Sequence, residues 1–294
     1  MKLMNFKKNN GIRIGVLTER GILDLEEAGK RLKESVPSSM EELIGENKLN
    51  EIARIVKRAE QEIPNHLFIS EEEIVYAPVI TNPEKIVCVG LNYLEHIEES
   101  KVSETPKEPV LFSKFNNALA AHNEKVPVPR VGEQFDYEAE LVMIIGKEAK
   151  NVSTEEALSY VFGYSVGNDL SIRDLQFKSG QWLLGKTADK FAPVGPCIVT
   201  ADSVDPTHLA ISLKRNGKTV QSSNTKYMVF DCATIISYIS KHMTLKPGDL
   251  IFTGTPEGVV LGKPEEQREW LKAGEELEVT IESVGTLRNT FESF

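Results

Sequence analysis

The segment DYEAELVMIIG, residues 136–146, opens an apolar strand with carboxylates. Side chains along a strand alternate faces, so Glu138, Glu140, Val142 and Ile144 share one face and Ala139, Leu141, Met143 and Ile145 the other. Two glutamates at that spacing stand roughly 6–7 Å apart and, at an effective dielectric of about 20, repel by roughly 2–3 kcal/mol. Burial adds a desolvation cost to each. The arrangement calls for positive charge. A third carboxylate, Asp169, stands where the run YVFGYSVGND ends. Three carboxylates with no companion Cys or His cluster make a hard, all-oxygen ligand set, which suits Mg²⁺ or Mn²⁺, with Ca²⁺ also compatible, rather than zinc. Three such ligands leave an octahedral ion open positions for water or substrate. Glu–x–Glu at a strand start is also common without a metal, and Arg173 and Lys186 are alternative counter-charges.

In GLNYLEHIEES, residues 90–100, His96 and Glu99 are three apart and share one face of a helical turn. A carboxylate beside an imidazole orients it and raises its basicity, which suits activation of water near neutral pH. A plain surface pair has the same spacing. His66, His122, His208 and His242 have no such company and are expected to be structural or exposed.

The elements that must position these residues change character along the chain. IRIGVLTERGILDL reads as a hairpin around Glu19-Arg20-Gly21. In the stretch after it, Leu43, Leu49, Ile52, Ile55 and Val56 recur near helical spacing, Ser38 or Ser39 offers an N-cap, and Gly45 breaks the helix in two. Pro78 and APVITNPEK mark a boundary, giving a small N-terminal α+β part, 1–77, and a larger catalytic part, 78–294. Beyond Ile86 short β-rich runs dominate: KIVCVG, PVLFSK, AELVMIIG, YVFGYSVGN, PVGPCIVTA, LAISLKRNGKTV, DLIFTGT and ELEVTIES. RNGK at 215–218 is a tight hairpin signal. Helices are expected to be rare there, chiefly around Thr154–Tyr160 and Ala233–His242. The expected class is therefore a mixed, β-rich α+β fold, mainly antiparallel.

A chain of 294 residues can bury a large core, and its 27% charged residues are ordinary for a globular protein. A net charge of −10 without a dense Lys/Arg patch disfavours nucleic acid as a partner. The three cysteines, Cys88, Cys197 and Cys232, sit among apolar neighbours without CxxC spacing and are expected to be reduced and buried. No segment has the length of a membrane span or the apolar run of a signal peptide, so a cytoplasmic protein without a membrane partner is expected.

Four ordered runs, DYEAELVMIIGK (136–147), NDLSIRDLQ (168–176), GKTADKFAPVGPCIVT (185–200) and TLKPGDLIFTGTPEGV (244–259), together resemble the fumarylacetoacetate hydrolase family. The resemblance extends from about Lys85 to Asn289 and is to its acylpyruvase-like, 2-keto acid hydrolase branch. It implies a β-sheet roll, usually a homodimer, with a divalent ion held by Glu138, Glu140 and Asp169. The NYxxHxxE pattern then implies that His96 and Glu99 form the family's dyad. Lys186 matches the active-site lysine, which stabilises an oxyanion or holds a substrate carboxylate. Arg173 and Gln176 match the polar network around the ligand, Arg173 having an equal claim to a structural role through carboxylate pairing. Thr253, Gly254 and Thr255 follow a strand in a turn that can aim N–H groups and a hydroxyl at an anion, with Thr255 the better candidate for ligand contact.

The function that follows is metal-dependent cleavage of a carbon–carbon bond in a small acylpyruvate-type keto acid, giving pyruvate and a carboxylic acid. Oxaloacetate decarboxylation or tautomerisation, and 2-hydroxymuconate-type isomerisation, use the same electron sink and occur in the family. The run GKPEEQREWLKAGEE resembles members acting on sugar-derived keto acids. A binding or regulatory protein is the alternative of another class, and the intact acidic set, dyad and lysine oppose it. The polar run KVSETPKEP, 101–109, is expected to be a mobile loop that lets the dyad helix close over substrate.

Overall fold

The strand Ala139–Ile145 is buried along its whole length because both its faces are covered. Leu141, Met143 and Ile145 enter one core, with Ile211, Leu213, Val279 and Leu287 of a second sheet and Ile235, Ile236 and Ile239 of the helix Cys232–His242. Val142 and Ile144 enter the other, with Leu25, Leu43, Ile52 and Ile55 of the N-terminal helices. The face assignment read from alternation holds, and two-sided burial explains why the strand is apolar at every position after Glu140. The protein is known here as a computed structural model that describes residues 1–100 and 104–294. Residues 101–103, where the expected lid loop begins, lie outside the described residues.

The central sheet has eleven strands. Its main path runs Gly21–Asp24, Gly11–Thr18, Lys2–Lys8, Ala192–Thr200, Val161–Asn168, Ala139–Ile145, Leu250–Phe252, Ile86–Gly90 and Val110–Lys114. A five-stranded sheet, from Lys218–Asn224 through Ala210–Arg215, Glu276–Ile281 and Gly285–Ser293 to Lys125–Val128, covers one face. Pairing is mostly antiparallel, as the rarity of helices in this part predicts. One parallel exception matters for the site: Leu250–Phe252 runs beside Ile86–Gly90 in the same direction. Their C-terminal ends, Gly90 onward and Thr253 onward, therefore emerge together.

Local chemistry sets several boundaries. Ser39 caps the helix Met40–Gly45 by accepting the Glu42 N–H at 3.1 Å. That helix ends at Gly45, and Leu49–Glu62 follows with Ile52, Ile55 and Ala59 buried. At the RNGK hairpin Asn216 and Gly217 both have positive φ, the twist-matched turn that joins Ala210–Arg215 to Lys218–Asn224. The N-terminal strand pairs Lys2 with Val199 and Leu3 with Ile198 and so joins the central sheet. The three cysteines are free and buried, and no helix among the described residues is long and apolar enough to cross a membrane.

His122 helps tie the N-terminal region to the rest. Its Nδ1 accepts the Arg288 backbone N–H at 3.1 Å, which requires that nitrogen to carry no proton. Its ring meets Tyr76 edge-on, 4.8 Å between centroids. Burial, opposed by Glu71 and helped by Arg288, lowers its pKa from 6.5 to about 4. The unfolded chain therefore takes up this proton first as pH falls. Stability tied to neutral His122 is complete above the unfolded value of about 6.5 and is lost as pH drops towards about 4. Urea-unfolding midpoints followed from about pH 7 to about pH 4 should fall more steeply for the unmodified chain than for His122→Gln. Equal slopes would show that His122 contributes nothing to acid sensitivity.

Candidate active site and metal centre

Antiparallel pairing brings the start of Ala139–Ile145 to the end of Val161–Asn168, with Ala139 opposite Asn168. The Asp169 N–H donates to the Glu138 carbonyl at 2.9 Å, and the Glu138 N–H donates to Asn168 Oδ1 at 3.0 Å. These contacts place Glu138, Glu140 and Asp169 so that one carboxylate oxygen from each lies within 4.8 Å of the others. All three are buried. On the other side Leu250–Phe252 ends at Thr253, and the Gly254 N–H donates to Glu140 Oε2 at 2.7 Å. Asn92 secures that corner: its Nδ2 donates to the carbonyls of Thr253 and Phe230, and its Oδ1 accepts the Phe230 N–H.

Three buried cations surround the acids. Lys186 Nζ lies 2.7 Å from Glu138 Oε2 and 2.9 Å from Asp169 Oδ2. Lys114 Nζ lies 2.6 Å from Asp169 Oδ1 and also donates to the carbonyls of Leu170, Phe191 and Lys186. Arg173 reaches Glu138 Oε1 at 2.7 Å and, through Nε, Asp136 Oδ2 at 2.9 Å. Burial alone would push the Glu138 carboxyl upward, but Lys186 and Arg173 outweigh it and hold the group below the usual carboxylate range. For Lys186, burial works against the charged form, and Asp169 with Glu138 overcomes it and raises the pKa. Burial wins at Lys114, whose pKa is lowered despite Asp169.

Glu140 is different. Four carboxylates, Asp136, Glu138, Glu140 and Asp169, face three cations, Lys114, Lys186 and Arg173. The surplus charge falls on Glu140, which among the described residues has no ion-pair partner and only the Gly254 N–H on its carboxylate. Burial, Asp169 and Glu138 all push its pKa well above the normal value. A carboxylate in that position needs a proton or a cation. Oxygens on an octahedral ion with bonds of ~2.1 Å lie ~3.0 Å apart when cis and ~4.2 Å when trans, so carboxylates already within 4.8 Å of one another would draw in around the ion. The residues fit a hard divalent cation, Mg²⁺ or Mn²⁺ with Ca²⁺ also compatible.

The dyad stands across a cavity of about 140 Å³ lined by Glu138, Glu140, Arg173, Lys186 and Thr255. His96, on the short helix Leu94–Glu99, is buried and faces this cavity. Its Nδ1 lies 2.8 Å from Glu99 Oε1. An ionised carboxylate can only accept, so Nδ1 carries a proton, and in the neutral imidazole Nε2 is then the nitrogen with the free lone pair. Glu99 Oε2 accepts the Gly258 N–H at 3.0 Å. Phe112 and Trp182 wall off the cavity, and the Trp182 ring lies so close to Gly90 that a Cβ there would stand 2.6 Å from it. A larger hollow of about 760 Å³ lies beyond those two aromatics and holds neither the carboxylates nor the dyad.

Among the residues proposed from sequence, Gln176 lines the cavity and accepts from Arg173 Nη1 at 2.9 Å. Thr255 also lines it, its Oγ1 accepting from Gln221 Nε2 at 3.0 Å. Thr253 does not: its hydroxyl donates to the Leu141 carbonyl at 2.9 Å and is fully buried. The Gly254 amide faces Glu140 rather than a substrate anion. His66, His208 and His242 lie away from the cavity lining. Three contributors escaped the sequence reading: Lys114, Asn92 and Asp136. Asp136 had a signal, because the alternation that pairs Glu138 with Glu140 also puts Asp136 on that side. Lys114 is a lone lysine ending an apolar run, and nothing local distinguishes it.

The fold and this site define a β-rich scaffold with a small cavity beside a buried acidic cluster able to hold a divalent cation. The Fumarylacetoacetate (FAA) hydrolase C-terminal family matches residues 85–292, and the chain belongs to the fumarylacetoacetate hydrolase family. It is 43% identical, over 98% of this chain and 96% of the relative, to a fumarylacetoacetate hydrolase domain-containing protein 2 homolog of Dictyostelium discoideum. It is 39% identical, over 98% and 89% respectively, to a mitochondrial oxaloacetate tautomerase of Xenopus laevis. A solved maleylpyruvate hydrolase of Sphingobium sp. SYK-6, in complex with manganese(II) and pyruvate, superposes with a TM-score of 0.80 at 29% identity, over 100% of this chain and 99% of that one.

Replacing Lys114 by Met would leave three carbonyls without their buried donor and Asp169 with Lys186 as its one remaining ammonium among the described residues. The variant should lose about 3–5 kcal/mol of stability, measured by urea unfolding. A loss under about 1 kcal/mol would mean that Lys114 is not the counter-charge of Asp169.

Proposed function

We propose that the chain is a divalent-metal-dependent enzyme of small 2-keto diacids whose main reaction is the keto–enol tautomerisation of oxaloacetate. The observation that carries this reading is the cavity: at about 140 Å³ it is small against the ~300–1,000 Å³ of common ligand sites, and Glu138, Glu140, Arg173, Lys186 and His96 all line it. A four-carbon diacid suits that space and a long acyl chain does not. The likeness to oxaloacetate tautomerases over most of the chain supports it.

A divalent cation on Glu138, Glu140 and Asp169 would supply Lewis-acid polarisation of the keto acid. The chain's own residues do the rest. His96 Nε2, the nitrogen that Glu99 leaves free, takes a proton from the carbon between the keto and carboxyl groups. The C–H electron pair becomes the new C=C bond and the keto oxygen gains charge, which the Lys186 ammonium on the cavity wall helps to hold. Return of a proton to that oxygen completes the enol, and the reverse sequence restores the ketone. Glu99 keeps the imidazole in the tautomer this needs, and Arg173 meets a substrate carboxylate at the cavity rim.

Hydrolysis of an acylpyruvate is the second reading, favoured by the dyad itself. There the same Nε2 takes its proton from water, and water attacks the distal carbonyl. The two are separated by following loss of oxaloacetate enol absorbance and acylpyruvate cleavage in the presence of Mg²⁺ or Mn²⁺. Tautomerisation should be the faster, and His96→Ala should reduce it by about 10²- to 10⁴-fold. Cleavage without tautomerisation would make the protein a hydrolase, and neither activity would favour a binding protein.

Metal dependence has a readout of its own. Mn²⁺ at about one hundred times its dissociation constant should stabilise the chelator-treated protein by about 2.7 kcal/mol in thermal unfolding. Glu140→Gln should remove most of that gain. An equal gain in the variant would place the ion elsewhere.

A further inference from the structure

The dyad helix Leu94–Glu99 is six residues long, and its N-terminal neighbour Tyr93 supplies no side-chain cap. Such a helix cannot hold a base in register by itself. What touches the dyad from outside is the turn 256–262. The Gly258 N–H donates to Glu99 Oε2, and Gly262 lies against the same side chain: a Cβ built on Gly262 would overlap the Glu99 carboxylate and approach Glu99 Cγ to 2.8 Å. The three heavy atoms nearest that Cβ all belong to Glu99. Gly262 does not have positive φ, so its backbone does not require glycine, and the closest obstacle to a side chain there is Glu99.

The turn is fixed independently of the helix. The Val260 and Leu261 N–H groups donate to Asp136 at 2.8 and 3.0 Å. Asp136 accepts from Arg173, and Arg173 holds Glu138. A continuous chain of hydrogen bonds thus runs from the acidic cluster through Asp136 to the turn, and from the turn to Glu99 and His96.

We infer that the turn 256–262 sets the position of the His96–Glu99 dyad relative to the carboxylate cluster, and that Gly262 is a positioning residue whose missing side chain lets Glu99 reach the Gly258 amide. The inference rests on the reading of His96 as the base of the reaction. In Gly262→Ala the methyl group displaces a flexible carboxylate rather than backbone, so the fold should survive while the dyad moves.

Gly262→Ala should keep the thermal midpoint and Mn²⁺ affinity of the unmodified protein, lose hydrogen-exchange protection at the Gly258 amide, and lower turnover by about 10²-fold. The amides of Val260 and Leu261, held by Asp136, should stay protected. Glu99→Ala, which removes the acceptor without touching the turn, should expose the Gly258 amide in the same way. Retained Gly258 protection in either variant, or a Gly262→Ala enzyme with full turnover while His96→Ala is impaired, overturns the positioning role. Full turnover in His96→Ala would instead overturn the assignment of the base, while the exchange data would still report on the contact.

Discussion

Asp169 sits fully buried between two lysine ammonium groups, and the rest of the site is organised around keeping that arrangement neutral. Taking an isolated ion out of water costs several kcal/mol even after relaxation, so each of these charges is tolerable only because its partners are in place. Lys114 and Lys186 bracket Asp169, Lys186 and Arg173 bracket Glu138, and Arg173 extends to Asp136. The cations also bind backbone. Lys114 donates to carbonyls at positions 170, 186 and 191, so three separate segments are tied to one ammonium. The electrostatic balance and the course of the chain around the cavity are therefore the same set of contacts.

Neutralisation stops one charge short, and that shortfall gives the site its chemistry. Glu140 is surrounded by protein yet has only an amide for company, while its neighbours Glu138 and Asp169 repel it. A cation that completes the balance would at the same time turn a locally negative pocket into one that attracts an anionic keto acid. Arg173 and Lys186 then serve twice, holding carboxylates of the protein and facing the cavity where carboxylate or enolate oxygens of a substrate would lie. Of the two roles expected for Arg173, carboxylate pairing is the one its contacts show.

The dyad comes to this cluster from a different part of the chain, and a parallel strand pair makes the meeting. Because Ile86–Gly90 and Leu250–Phe252 run the same way, the loop that leads to His96 and the turn that leads to Gly258 leave the sheet side by side. Gly254 fits there only because it lacks a side chain: a Cβ would meet Asn92 Cβ at 2.7 Å. Asn92 bonds across the gap and fixes the spacing. The turn then doubles back to Asp136, so base and carboxylates share one frame although about forty residues separate them in sequence.

Short-range physics was readable in the sequence alone. Alternation from 136 to 145 gave the two faces of the central strand and the shared side of Glu138 and Glu140, Ser39 and Gly45 bounded a helix, and Asn216-Gly217 marked a hairpin. Each depends on neighbours a few residues apart, where strand and helix periods and turn stereochemistry apply directly. The family's ordered motifs added the acidic set, the dyad and Lys186. Lys114, Asn92 and the space at Gly262 were decided only by tertiary structure. Their partners lie 56 residues away for Lys114 and Leu170, and 161 for Asn92 and Thr253. No local period encodes such a distance. The counter-charge of a buried acid, or the glycine that makes room for a glutamate, is chosen by what the folded chain brings within a few ångströms, and that proximity exists only after the sheets have closed.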